Sequence, residues 1–466
     1  MINYYNFKKW GEDYLVTNDM GRFLFLTERE FKEFSSKRSE MDSQLHQKLL
    51  DKYFVLENNN PVQLENAQNA YRYYRQYLFQ GTNLHIFVVT NRCNFACSYC
   101  QAQDQSNSQG GYMTKEIAKK ATDIALSSAG TNLTFEFQGG EPLLNYEIVK
   151  YIIEYAEAKS NDRVINYTIV TNGTLLDSEK IFFFRQHNVD ISVSFDGCRE
   201  VHDANRTYVD SGEGTFSDVV QVIDKLQQSK ALCGTLQTTT KASLKFPVEI
   251  IREYVAHQLH SIFVRPLTPL GYARNHWDSI GYSPEEFLKF YRKVLEEIIR
   301  VNREGYYLSE GHAEMFLRKI FTHDAGNYME LRSPCGASVG QIAYYYDGNI
   351  YSCDEGRMIA QMGDDIFKLG DVYESSYDCL MNSNTCRSIC QATVLEGLPG
   401  CCDCVYQPYC GVCPVLSYAY ENDVISGTYE NFKCRIYKGI LDYLFTKINR
   451  HEDLDILYGW VGEKNE

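Results

Sequence analysis

The chain has 466 residues, 44% hydrophobic and 23% charged, the composition of an ordinary globular protein of several domains. Forty-six Lys and Arg against 61 Asp and Glu leave a net charge of −15, which argues against a nucleic-acid partner. The start, MINYYNFKKWGEDYLVTND, has no apolar signal-peptide core, and no stretch reaches the ~18–20 apolar residues of a membrane span. No membrane partner and a cytoplasmic location are the expectation.

Residues 1–80 read as a small module. DYLVTND and RFLFLT are strand-like runs around a turn, followed by helical stretches over 28–39 and 41–56. From residue 84 to 305 strands and helices alternate. LHIFVVTN, LTFEFQ, VINYTIVTN, DISVSFDG, CGTLQTTT and SIFVRPL are the strands, with helical patterns between them and a long amphipathic helix over 283–305. Such β-α units predict an α/β fold with a parallel sheet, doubly wound or curved into a partial barrel. Either way, chemistry belongs at the carboxyl ends of the strands. Beyond the long helix the periodicity fades. Residues 330–440 are rich in Cys, Gly, Tyr and Asn, with short strands at QIAYYYD and NIYSC, and a bound metal would supply the missing organiser. Residues 441–466 read as a carboxyl-terminal helix and tail.

Sixteen cysteines are placed unevenly: three between Cys93 and Cys100, eleven between Cys335 and Cys434. Short spacings in a reducing compartment indicate metal ligation rather than disulfides. Cys93, Cys97 and Cys100 form C-x3-C-x2-C directly after the first strand. Three thiolates on one short loop suit a [4Fe–4S] cube with its fourth iron open. Zinc is the alternative, but it favours C-x2–4-C pairs with a fourth ligand nearby, and none lies close in sequence.

This trio, its place after the first strand and Tyr99 before the last cysteine resemble the radical S-adenosylmethionine (SAM) enzymes. The resemblance implies a partial (β/α)6 barrel, a reduced cluster and SAM as source of a 5′-deoxyadenosyl radical. Gly139-Gly140-Glu141-Pro142, after the second strand, matches the family motif that holds the SAM amino group. Asn172 ends the third strand. Ser194 and Arg206 have the spacing of residues that contact SAM, and an Arg fork suits its carboxylate. Leu267, at the end of the sixth strand, would by the same resemblance pack near the adenine.

The tail reads Cys335-x12-Gly348-x4-Cys353, a gap, then Cys401-x2-Cys404-x5-Cys410-x2-Cys413 and Cys434. It resembles the SPASM extension, which holds two auxiliary [4Fe–4S] clusters, although its last spacing is x2 where x3 is usual. Carried over by position, one cluster takes Cys401, Cys404, Cys410 and Cys434, the other Cys335, Cys353 and Cys413. The fourth cysteine expected soon after Cys335 is missing. Either that site is open or Cys379, Cys386, Cys390 or Cys402 fills it. Zinc remains compatible with the CxxC pairs. Asp354 follows Cys353, where related sulfatase-maturing enzymes place a proton acceptor.

SPASM-bearing members mostly modify peptides, and modules like residues 1–80 often capture a precursor's leader, which an open sheet edge can add as a strand. YLVTNDMGRFLFL and CxYxPYCGxCPV look most like the His-Xaa-Ser system maturases. The expectation is a peptide maturase that forms a thioether, C–C or C–O cross-link, with an external electron donor such as flavodoxin or ferredoxin. Formylglycine generation in a sulfatase is the alternative. An iron–sulfur electron-transfer or scaffold protein is the alternative of another class.

Overall fold

The structure, a computed structural model, describes residues 1–36, 41–102, 111–160, 162–326, 328–425 and 431–462. The amino-terminal module has three strands where the sequence pattern marks two: β1 (Asn6–Trp10), β2 (Asp13–Thr17) and β3 (Phe23–Thr27), antiparallel in that order. Helices follow over Glu28–Ser35, Ser43–Asp51 and Pro61–Tyr74. Thr27 and Glu30 close the first in a reciprocal capping box, which satisfies backbone N–H groups that the first turn leaves open.

The expected six strands are β4 (Leu84–Thr90), β5 (Asn132–Gly139), β6 (Val164–Thr171), β7 (Val189–Ser194), β8 (Leu232–Thr238) and β9 (Ser261–Arg265), each parallel to the next. Their alternation has a physical use. In β5, Leu133, Phe135 and Phe137 are buried against the outer helices, while Thr134, Glu136 and Gln138 are half-buried on the other face. Parallel strands covered on both faces read as continuous apolar runs. Here the polar face marks a side of the sheet that lines space rather than core.

The sheet does not stop at those strands. β10 (Ser309–Glu310) pairs with β9, and β11 (Gln341–Tyr344), β12 (Asn349–Tyr351) and β13 (Lys368–Asp371) continue it from β4, giving ten strands in the order β10-β9-β8-β7-β6-β5-β4-β11-β12-β13. The cysteine-rich region is thus stitched to the barrel strands by backbone hydrogen bonds. His85 on β4 marks the seam: its ring bonds to Tyr344 Oη at 3.1 Å and Ser128 Oγ at 3.2 Å, all buried. The boundary expected at residue 440 falls inside a continuous helix, Phe432–Asn449, because its buried face (Ile436, Ile440, Leu444, Ile448) runs without a break. The amino-terminal module packs on the same region. Asn6 donates to the Cys402 and Cys404 carbonyls, Thr17 to the Val405 carbonyl, and Trp10, Phe23 and Phe25 surround Phe445. Among the described residues no helix is long and apolar enough to cross a membrane.

Candidate active site

The chain leaves β4 at Thr90 and folds back under the neighbouring strand ends. Ala96 N–H donates to the Thr207 carbonyl and Ser98 N–H to the Asn205 carbonyl, both at 2.8 Å, so the cysteine loop is pinned to the segment after β7. On the other side Gly140 N–H reaches the Thr90 carbonyl at 3.0 Å. Gly139 permits this approach, since a Cβ there would stand 2.3 Å from the Thr90 oxygen. Asn172 donates to Asn94 Oδ1 at 2.8 Å and lies 3.9 Å from Cys93 Sγ.

Above this loop is a cavity of about 560 Å³. Its lining includes Cys93, Cys97, Tyr99, Cys100, Gly139, Gly140, Asn172, Ser194 and Arg206 from the strand ends, and Cys335, Cys353, Asp354 and Cys413 from the tail. Residues more than 300 positions apart in sequence therefore face one space. The remaining predicted tail ligands, Cys401, Cys404, Cys410 and Cys434, line a separate, smaller cavity of about 50 Å³, and Cys413 borders both.

The predicted SAM contacts divide in two. Gly139, Gly140, Asn172, Ser194, Tyr99 and Arg206 face the cavity. Glu141 does not: its buried carboxylate accepts from Thr171 Oγ1 at 2.7 Å, Asn172 N–H at 2.8 Å and Leu143 N–H at 3.0 Å. Burial pushes it up to about 7 against those three donors. It ties the ends of β5 and β6 together, which leaves the two glycine backbones to meet a ligand. Pro142 is buried at the start of the next turn, and Leu267 is fully buried core whose N–H donates to Tyr282 Oη at 2.6 Å. Neither reaches the cavity wall.

Arg206 is anchored by a residue to which the sequence reading gave no role. Its Nε and Nη2 donate to the two oxygens of the fully buried Asp196 at 3.0 and 3.2 Å. Burial alone would lower the guanidinium, but Asp196 outweighs it and holds the charge. Tyr99 Oη, Asn205 Nδ2 and Thr238 N–H also donate to that carboxylate, so one aspartate organises the ends of β7 and β8 behind the cysteine loop. Asp354 is similarly locked. Arg357, fully buried one turn on, donates to its Oδ1 through Nε at 3.1 Å and Nη2 at 2.5 Å, and its Nη1 reaches the Ala102 carbonyl beside the trio at 3.4 Å. Glu136 and Gln138 of β5 and Arg265 of β9 complete the cavity wall. The sequence reading does not single them out; the polar alternation Thr134, Glu136, Gln138 is the signal that marks the two on β5.

The donor sets fit iron–sulfur groups. Each is made of sulfur, the soft ligand such clusters use. Burial raises the Cys93 thiol well above its usual value and pushes Cys97 up to about 12, although Arg206 opposes it; Cys353 is raised well above, and Cys413 and Cys410 reach about 12. A thiol that resists ionisation in a dry site still loses its proton to the surroundings when a metal binds, because the metal coordinates and stabilises the thiolate. Among the described residues no three His, Cys, Asp or Glu side chains stand at the spacing of a single metal ion. A four-iron cube is a larger body and takes more widely set thiols. Of the spare cysteines, Cys379 is exposed, Cys402 lies against the amino-terminal module, and Cys386 and Cys390 hydrogen-bond to each other on the helix Asn384–Ala392. None of the four lines the cavity; Ala337 and Gln341, which follow Cys335, do.

Comparison with known proteins agrees with this geometry. Residues 87–236 match the Radical SAM superfamily. A cysteine-type anaerobic sulfatase-maturating enzyme of Clostridium novyi (strain NT) is 25% identical over 370 residues, which is 77% of this chain and 94% of that protein. The solved structure of native anSMEcpe with bound AdoMet aligns at a TM-score of 0.68 and 21% identity, covering 79% of this chain and 99% of the other. Streptococcus suis SuiB bound to precursor peptide SuiA aligns at 0.54 and 14% identity, covering 91% and 98%. At these identities both structures speak to the fold. The chain carries a radical SAM domain and a cysteine-rich carboxyl-terminal region that fits a SPASM-like domain: it is a radical SAM enzyme whose cofactors are S-adenosylmethionine and [4Fe–4S] clusters.

Proposed function

We propose that the protein is a maturase that oxidises a residue of a peptide or protein substrate by hydrogen abstraction. The observation that carries this reading is the single cavity lined both by Cys93, Cys97 and Cys100 and by Cys335, Cys353, Cys413 and Asp354. In it the trio holds the SAM-binding cluster, and SAM bound there supplies a 5′-deoxyadenosyl radical. The Gly139 and Gly140 backbones meet the SAM amino group, and Ser194 and Arg206 its carboxylate. Asp354, oriented by Arg357, accepts the proton that leaves the oxidised residue. The two tail sets would hold auxiliary clusters, which would supply an acceptor for the excess electron, and a flavodoxin or ferredoxin would supply the first one.

For the product, conversion of a Cys or Ser side chain to formylglycine is the better supported reading, because the C. novyi relative is a sulfatase-maturating enzyme and 94% of its length is matched. A cross-link in a leader-bearing precursor is the second reading. It is favoured by the amino-terminal module, in which β3 has only β2 as a partner among the described residues and can add a peptide strand. Anaerobic turnover with SAM, analysed by mass spectrometry, separates them. A sulfatase-type Cys or Ser peptide that gains an aldehyde supports the first, and a co-expressed precursor that loses two hydrogens into a new bond supports the second. Failure to release 5′-deoxyadenosine under reduction would refute both.

A further inference from the structure

Between the two tail cysteine sets lies an ion pair with a buried lysine. Lys433 Nζ is 3.2 Å from Glu330 Oε2; the lysine side chain is 10% exposed and the glutamate 41%, open to the large cavity. Lys433 lines the small cavity of Cys401, Cys404, Cys410 and Cys434, while Glu330 lines the large cavity of Cys335, Cys353 and Cys413. The partition between these spaces is the segment Cys410–Cys413, which runs against Glu330: a Cβ on Gly411 would stand 2.3 Å from the Glu330 carbonyl oxygen. The pair therefore has one end in each site.

The lysine charge reaches both sets. Lys433 acts on Cys335 and Cys413 of one and on Cys410 of the other. Other charges differ between the two sites. Lys438 faces Cys401, Cys404 and Cys434, whereas Glu355 faces Cys335, Cys353 and Cys413. Arg265 and His312 add to Lys433 in acting on Glu330. In a dry interior a fixed charge beside an iron–sulfur centre shifts its reduction equilibrium, since reduction adds a negative charge that a cation favours and an anion opposes.

We infer that the Lys433–Glu330 pair tunes the clusters at the two tail sites, Lys433 raising the reduction potentials of both and Glu330 lowering that of the site it lines, at Cys335, Cys353 and Cys413. Lys433 and Glu330 are thus positioning residues for electron uptake. The inference rests on the reading that both sets hold clusters, and the test separates the two. The full chain with Cys93→Ala, Cys97→Ala and Cys100→Ala, reconstituted with iron and sulfide, carries tail clusters alone. Iron is counted and the potentials are read by EPR-monitored reductive titration. Lys433→Met lowers the potentials, and Glu330→Gln raises that of the Cys335, Cys353 and Cys413 site, each by about tenfold in the equilibrium constant, or about 59 mV for one electron. Lys433→Arg restores the parent values. Opposite signs are the signature, since loosened packing would move both variants the same way. If Lys433→Met fails to hold iron, Glu330→Gln decides alone. Clusters present with unmoved or same-signed potentials would overturn the inference, and a parent that binds no iron would overturn the cluster reading and the inference with it.

Discussion

The loop after β4 and the segment from Cys335 to Cys434 both gather buried thiols, but the chain holds them by different means. The loop hangs from a regular strand, is pinned at both sides by backbone hydrogen bonds, and backs onto an ion pair between Arg206 and Asp196. The tail has short strands and turns, borrows the edge of the barrel sheet through β11, and leans on the amino-terminal module at Cys402–Val405. Neighbouring strand ends of one regular sheet position the first group. The second is positioned by what surrounds it, and it divides between two cavities, only one of which it shares with the trio.

The sharpest way to break this comparison is to remove one thiol from each region. Cys97→Ala should bring 5′-deoxyadenosine release to background, whereas Cys410→Ala should leave SAM cleavage running, remove one cluster's share of iron and abolish product. Equal loss of cleavage in both would erase the division of roles. Next comes the tail carboxylate that lines the same cavity as the trio. Asp354→Asn should slow product formation by about 10²- to 10⁴-fold while cleavage continues, measured as the ratio of product to 5′-deoxyadenosine.

A smaller effect tests the support behind the loop. Asp196→Asn leaves Arg206 buried without its partner, which should cost about 3–5 kcal/mol in urea unfolding and weaken SAM binding in equilibrium dialysis. The smallest tests the seam. Burial holds His85 at about 3, below its usual 6.5. The unfolded chain therefore binds a proton that the folded one refuses, and this contribution is fully present above pH 6.5. It is lost as the pH falls from there toward 3, at about 1.4 kcal/mol per unit. Unfolding midpoints between pH 7 and 5 should fall more steeply for the parent than for His85→Gln, and parallel slopes would place the acid sensitivity elsewhere.

The barrel was legible because its information is local. Period-two burial along LTFEFQ, turn residues at the strand ends and C-x3-C-x2-C within eight residues can all be read in short windows. Glu141 and Leu267 show where that reading ends. The motif gives their identity, but whether a carboxylate faces a ligand or three backbone and hydroxyl donors depends on neighbours from β6. Asp196 drew no notice because nothing nearby in sequence marks it; its importance comes from partners on the cysteine loop, the helix Arg199–Asn205 and β8.

By itself, then, the order of residues determined the β-α alternation, the cysteine groupings and the residue types at the strand ends, all of which follow from spacing along the chain. Tertiary structure alone decided that the sheet would run on to β13, that Cys335, Cys353 and Cys413 would line one cavity with Cys93, Cys97 and Cys100 while their neighbours in the tail would not, and that Lys433 and Glu330 would meet. Those outcomes are long-range packings, and their partners lie up to several hundred residues apart, beyond what any local pattern encodes.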